Sequence, residues 1–175
     1  MSVALGTEAP QFDLPGVDGK SHSLDSYAGA EALVLAQSCN HCPYVQAWED
    51  RLSAIARDYE ERGVRVVAVN SNDAEHYPED SFEEMRARAA ARGFAFDYLY
   101  DEPQAVAREL GAERTPEVFV YDRDRRLAYH GAIDDSRDET AVSQQYLRDA
   151  LDAVFGGEEP AVSETPPVGC TVKWK

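Results

Sequence analysis

Hydrophobic and polar positions along this chain change period several times, and each change marks an element. Residues 1–30 are broken by Pro10, Pro15, Gly16, Gly19 and Gly29. A short extended piece at residues 12–14 and the turn Val17-Asp18-Gly19-Lys20 predict an N-terminal hairpin. Residues 32–36 (Ala-Leu-Val-Leu-Ala) are apolar at every position, the pattern of a central strand covered on both faces. Beyond residues 37–43, Val45, Trp48, Leu52, Ile55 and Tyr59 recur at close to helical spacing as far as Gly63. They predict an amphipathic helix whose first turn holds two cysteines.

Residues 64–69 read as a second buried strand and residues 70–73 as a loop. Ser81 then precedes Phe82, Met85 and Ala89, a short helical stripe with Glu83 and Glu84 in its first turn and Gly93 as its stop. Phe94, Phe96, Tyr98 and Tyr100 alternate with Ala95, Asp97 and Leu99 as in a strand, an aromatic row assigned to the core. Pro103 opens a short helix through Val106 and Leu110 to Gly111. Residues 118–121 and 127–130 flank a polar turn, as in an antiparallel hairpin, and residues 141–155 predict a last helix. Strands separated by helices, followed by a hairpin and a final helix, imply an α/β sandwich with a mixed sheet. The expected organisation is one domain over residues 1–157 and a C-terminal tail over residues 158–175 that carries Cys170.

Composition narrows the class. With 43% hydrophobic and 10% aromatic residues among 175, the chain is too apolar for general disorder and can bury a moderate core. Its 33 acidic and 17 basic side chains give a formal charge of −16, which repels phosphate backbones and anionic headgroups. No nucleic-acid or membrane partner is therefore expected. The start of the chain lacks a basic segment followed by an apolar run, and no aliphatic stretch is long enough to span a bilayer, so a cytoplasmic location is expected. Three cysteines, an odd count, argue against a structural disulfide framework and for thiols with a task.

Cys39 and Cys42 lie three residues apart where a strand runs into a helix. A sulfur at a helix N-terminus is stabilised as thiolate by unpaired N–H groups and the helix dipole. A second sulfur one turn away can attack a mixed disulfide and release the partner, which is two-electron thiol–disulfide exchange. A zinc clip is the rival reading. It needs two further ligands, and Cys170 with one of His22, His41, His76 or His130 would have to be recruited. Two buried inert cysteines are the bland reading. His41, when cationic, can stabilise a neighbouring thiolate and make the couple more oxidising.

The longer motifs carry a resemblance. Gly6-Thr7-Glu8-Ala9-Pro10-Gln11-Phe12-Asp13-Leu14-Pro15, then Cys39-Asn40-His41-Cys42-Pro43-Tyr44-Val45, and the ending Gly169-Cys170-Thr171-Val172-Lys173-Trp174 resemble the thioredoxin-fold redoxin family, in its peroxiredoxin-like and TlpA-like branch. The resemblance implies a thioredoxin-like three-layer α/β/α sandwich with a mixed central sheet and an N-terminal hairpin. It also implies that Thr115 and Pro116 form the second signature, with a cis proline against the sulfurs and an open backbone edge that takes an extended substrate chain.

Two departures bear on the activity. Placed on a peroxiredoxin's Pro-x-x-x-Thr-x-x-Cys motif, the chain has Leu35 for the proline and Cys39 for the threonine, and the peroxide-polarising arginine falls on Pro116. Without those donors, peroxide is activated little. Thioredoxin's buried aspartate falls on Leu33, which leaves the proton acceptor for Cys42 open. The expected function is a thiol–disulfide oxidoreductase in which Cys39 attacks and Cys42 resolves, with Thr115 and Pro116 presenting a disulfide-bearing protein or small-thiol substrate. An unidentified electron donor is implied, and neither a cofactor nor a metal is expected. The alternatives are a thiol peroxidase with Cys42 peroxidatic and a copper-binding metallochaperone of the same fold. Cys170 is either a third thiol in a relay, if the tail folds back, or a packed residue of an apolar tail anchored by Val172 and Trp174.

Overall fold

The computed structural model describes residues 3–175; Met1 and Ser2, on which part of the leader expectation rests, lie outside the described residues. In chain order, β1 (Asp13–Pro15) and β2 (Ser21–Ser23) form the antiparallel lead-in hairpin. Next, β3 (Ala32–Ser38) leads through residues 39–42 into α1 (Pro43–Tyr59). It is followed by β4 (Val64–Asn70), α2 (Phe82–Arg92), β5 (Asp97–Tyr100) and α3 (Ala105–Leu110). The remainder is β6 (Arg114–Thr115), β7 (Glu117–Tyr121), β8 (Leu127–Gly131), α4 (Tyr146–Phe155) and β9 (Cys170–Thr171).

The apolar run at β3 becomes the middle of a five-stranded sheet of order β5-β4-β3-β7-β8. β3 pairs in parallel with β4 and antiparallel with β7, so that Leu35 lies between Val67 and Phe119. Its side chains divide by the period of two expected of a strand. Ala32, Val34 and Ala36 meet Trp48, Leu52 and Ile55 of α1 with Leu147 and Leu151 of α4. Leu33 and Leu35 meet Val106 and Leu110 of α3, together with Phe12 and Leu14 of the lead-in. The result is the three-layer thioredoxin-like α/β/α sandwich with a mixed sheet. Each fully buried leucine in it is worth about 1.5–3 kcal/mol.

Three boundaries move from the sequence expectation for local reasons. β5 starts at Asp97, with Phe94 stacked on Phe96 (centroids 4.6 Å apart) in the connection before it. α3 starts after Gln104, whose φ is +65°, because the Asp101 carboxylate accepts the N–H groups of Ala105, Val106 and Ala107 (3.1, 3.0 and 3.2 Å) and sets the first turn. α4 starts at Tyr146, five residues late. Asp135 accepts from the backbone and hydroxyl of Ser143, and Asp138 accepts from Thr140, so side chains hold this stretch as a loop.

The tail closes back on the sheet. Ser163 and Thr165 pair with His130 through its N–H and carbonyl (3.1 Å each). β9 then pairs antiparallel with β6, Thr171 opposite Arg114 and Cys170 opposite Thr115. Gly169 permits this contact, since a Cβ there would lie 2.0 Å from the Thr115 carbonyl oxygen. Val172 is buried in the cluster beneath α3. No helix among the described residues is long and apolar enough to cross a membrane.

Leu35→Ala should cost about 2–5 kcal/mol, because the strand is enclosed on both faces and cannot collapse around the gap. Urea unfolding should show a lower midpoint at unchanged slope. A midpoint equal to wild type would refute the two-faced burial.

Candidate active site

β3 delivers residues 39–42 to the end of the sheet where β7 begins, and a set of buried polar groups fixes them there. Asp80, wholly buried in the turn Pro78–Asp80, accepts the N–H groups of Asn40 (2.7 Å) and His41 (3.2 Å) on one oxygen and the Asn72 side chain (2.9 Å) on the other. The Tyr98 hydroxyl donates to the Asn40 side-chain oxygen (2.7 Å), and Gln46 Nε2 donates to the Asn40 carbonyl (3.0 Å). Satisfied buried networks of this kind hold a single geometry.

Cys42 caps α1. Its backbone is extended (φ −72°, ψ 123°), and Pro43, which has no N–H to orphan, is the first helical residue. The Cys39 and Cys170 thiols and the N–H groups of Val45 and Cys170 favour the ionised form of the Cys42 sulfur. The Cys39 thiol does most to lower its pKa, which falls from 9.0 to about 4 against the opposing effect of burial. The Cys39 thiol is pushed well upward by the same contact with Cys42, by burial and by the Asp80 charge. Cys170 is raised to about 11, chiefly by burial and then by its contact with Cys42. The negative charge of the centre therefore sits on Cys42, whereas the sequence reading puts it on Cys39. The helix begins one residue after Cys42, and the buried carboxylate faces Cys39.

Thr115 touches both sulfurs. Its hydroxyl lies 3.6 Å from Cys39 Sγ and its carbonyl oxygen 3.5 Å from Cys42 Sγ, and the Thr115–Pro116 bond is cis. Glu117 supports this turn by accepting the N–H groups of Glu113 (3.0 Å) and Arg114 (3.4 Å). The expectation of an open edge at Thr115 is overturned, because β9 already occupies it. Cys39 and Pro116 border a small cavity of about 10 Å³. A hollow of about 670 Å³, bordered by Glu31, Arg123 and Phe155, lies at the opposite end of β3 and β7.

His41 packs against Asp80 and Tyr77. Its Nδ1 lies 2.5 Å from Asp80 Oδ2 and 3.9 Å from Glu79, and its ring stacks on Tyr77 with centroids 6.0 Å apart. The work expected of it falls to backbone N–H and thiol donors. Among the described residues, Cys39, His41 and Asp80 place donor atoms within 4.8 Å of one another, an arrangement that could hold a metal ion. Both Asp80 oxygens already accept hydrogen bonds from the loop and Asn72, so we read the trio as a clamp. Asp80 itself is missed by sequence reasoning. It stands just before a helix N-cap, where an acidic residue is ordinary, and nothing in the sequence links it to Asn40, forty residues earlier, or to the cysteines on either side of Asn40. Tyr98 is read only as core, yet its hydroxyl holds the loop.

A strand, a Cys-x-x-Cys loop and a helix set against a cis-proline on a mixed sheet define a thioredoxin-fold redoxin. The AhpC/TSA family matches residues 5–130, and the chain belongs to that family. Over 100% of its length it is 41% identical to a hypothetical protein from Sinorhizobium meliloti 1021, of whose crystal structure it covers 97% with a TM-score of 0.94. It is 26% identical to the thiol-disulfide oxidoreductase ResA of Geobacillus thermodenitrificans over 128 residues, 72% of this chain and 68% of that protein. The crystal structure of peroxidoxin BcpB from Mycobacterium tuberculosis shares the fold at a TM-score of 0.65 and 20% identity, over 90% of this chain and 97% of that one.

Ultraviolet thiolate absorbance of the reduced protein should show one step centred near pH 4, absent from Cys42→Ser. A pKa lowered on folding stabilises the native state fully above the unfolded value of 9.0, and this contribution is lost as pH falls towards 4. Cys39, shifted upward, subtracts stability only above its ordinary 9.0. Acid should therefore destabilise wild type more steeply than Cys42→Ser. A first thiolate appearing only near 9.0 would refute the assignment.

Proposed function

We propose that the protein is a thiol–disulfide oxidoreductase that cycles the Cys39 and Cys42 pair between dithiol and disulfide, exchanging with disulfide-bearing proteins or small disulfides. The observation that carries this reading is the Cys39 and Cys42 pair at the start of α1, both sulfurs in contact with Thr115 beside the cis bond to Pro116. Cys42 attacks a disulfide sulfur presented to it and forms a mixed disulfide. Cys39 then loses its proton and attacks the Cys42 sulfur, the partner leaves as thiolate, and the pair closes. Two electrons pass to the partner disulfide, and the reverse sequence returns them from an external dithiol donor. Thr115 positions both sulfurs, Pro116 keeps the adjacent backbone free of an N–H, and His41 with Asp80 positions the loop. The likeness to a curated thiol-disulfide oxidoreductase supports the same reaction class.

Stabilising one thiolate stabilises the reduced form, so the couple should be more oxidising than the approximately −270 mV of thioredoxin. Equilibration in glutathione buffers measures this, and a lower potential would overturn it. Wild type should turn over an aromatic disulfide in the presence of dithiothreitol, with oxidised protein bridged between Cys39 and Cys42. Cys42→Ser should fall to the uncatalysed rate, and full turnover by that variant would reject the reading.

A second reading, thiol peroxidase, is favoured by one observation: the ionised sulfur precedes Pro43 at the helix cap, where the family's peroxidatic cysteine stands in the sequence resemblance. Pro116 stands where that reading needs an arginine donor. Peroxide consumption no faster than that of free cysteine is expected, and faster consumption would reverse the order of the two readings.

A further inference from the structure

We propose that Cys170 is the outward-facing sulfur of the exchange centre, held on the Thr115 edge by β9, and that a Cys42–Cys170 disulfide carries oxidising equivalents between the buried Cys39–Cys42 pair and thiols in solution. This rests on the dithiol reading given above and deepens it.

Accessibility is the first argument. Cys39 is 2% exposed and Cys42 is fully buried, while Cys170 is only partly buried. Two of the three sulfurs are thus buried, and the third, packed against them, reaches solvent.

The second argument is register. Cys170 lies directly opposite Thr115, the residue that contacts both buried sulfurs. The approach is set by Gly169, where any side chain would collide with the Thr115 carbonyl.

The third argument is that the tail is fixed. Val172 is 4% exposed, and its N–H donates to the Glu113 carbonyl (3.1 Å). Lys173 donates to Asn72 Oδ1 (2.9 Å), and its carbonyl accepts from Asp73 N–H (2.9 Å) and Gln104 Nε2 (3.0 Å). Upstream, Thr165 lies so close over Gly131 that a Cβ there would meet its Oγ1 at 2.2 Å. A substrate chain displacing β9 would have to replace all of these at a two-residue edge. Exchange through Cys170 leaves every one in place.

The steps balance as follows. Starting from the Cys39–Cys42 disulfide, Cys170 gives its proton to solvent and its thiolate attacks Cys42 Sγ. The Cys39–Cys42 bond breaks, Cys39 takes up a proton, and the Cys42–Cys170 bond forms. A thiolate of an external dithiol then attacks Cys170 Sγ, and Cys42 departs as thiolate. The partner's second thiolate attacks its own sulfur in the mixed disulfide and frees Cys170, which is reprotonated. Two electrons have moved from the partner dithiol, now a disulfide, to the Cys39 and Cys42 pair. Because the backbone edge is closed, the partners this favours are small dithiols and thiols on exposed protein loops, recognised without main-chain pairing.

The test uses wild type, Cys39→Ser and Cys170→Ser, each oxidised with limiting glutathione disulfide, alkylated and mapped by mass spectrometry. Cys39→Ser should bridge Cys42 to Cys170. Cys170→Ser should still form the Cys39–Cys42 bridge but exchange it with dithiothreitol at least about tenfold more slowly than wild type. An unbridged Cys39→Ser, or wild-type exchange by Cys170→Ser, overturns the proposal. Wild type that forms no Cys39–Cys42 bridge at all overturns the dithiol reading and the proposal with it, an outcome distinct from loss of the Cys170 step alone.

Discussion

Where helix α1 begins decides the chemistry of this protein. Cys42 stands at the N-cap, where the N–H of Val45, a group that has no partner within the helix, favours its ionised form. Were the helix one turn longer at this end, Cys39 would be nearer the cap and the charge would move with it. Pro43 prevents that extension, because it cannot donate to a preceding turn and it disfavours helical backbone at the residue before it. The same residue is tolerated at the first helical position, so one side chain both starts the helix and selects the ionised sulfur.

The cap acts together with a charge on the other side of the pair. Asp80 is buried beside Cys39 and disfavours a second negative charge there, while the donors around Cys42 welcome one. The two effects polarise the pair in the same direction. Asp80 also accepts the N–H groups of Asn40 and His41, so the group that sets the electrostatics is the group that fixes the loop. Its removal would therefore change geometry and charge together. The imidazole of His41 lies against that carboxylate, so the ring, the carboxylate and the Cys39 sulfur form one group of neighbours.

How much of this was legible depends on the range of each interaction. The sheet could be read because residues 32–36 and 64–69 are apolar without alternation, a local pattern with one common physical cause. The Cys39 and Cys42 pair at a strand-to-helix junction was legible for the same reason, as was Thr115-Pro116 once the longer motifs were compared. Helix starts were harder. Asp101 and Asp135 cap or compete with the backbone through side chains, and a carboxylate that caps looks in sequence like one that is merely solvated. Asp80 and the pairing of β9 with β6 were out of reach, since both join segments distant in sequence and neither carries a repeating pattern. The sequence allowed that the tail folds back with Cys170, but not which strand it pairs with, since the need for glycine at 169 shows only once the Thr115 backbone is in place.

The closed edge changes what the fold's familiar parts can do here. In an open arrangement the backbone of Thr115 would supply affinity for any extended chain, and side-chain pockets would supply specificity. In this protein that hydrogen-bonding capacity is already satisfied internally, and the ordering of the pairing strand is built into the fold rather than required of a partner. If exchange runs through Cys170 as proposed, affinity for partners would come from contacts around that single partly buried position. Contacts of that size would support brief encounters, and in the proposed exchange the stabilised leaving thiolate at Cys42 would be the main source of rate. Burial of the pair and ionisation of Cys42 are for that reason coupled requirements: a sealed centre with ordinary thiols would be inert, and an ionised centre without the tail would be open to any oxidant that reached it.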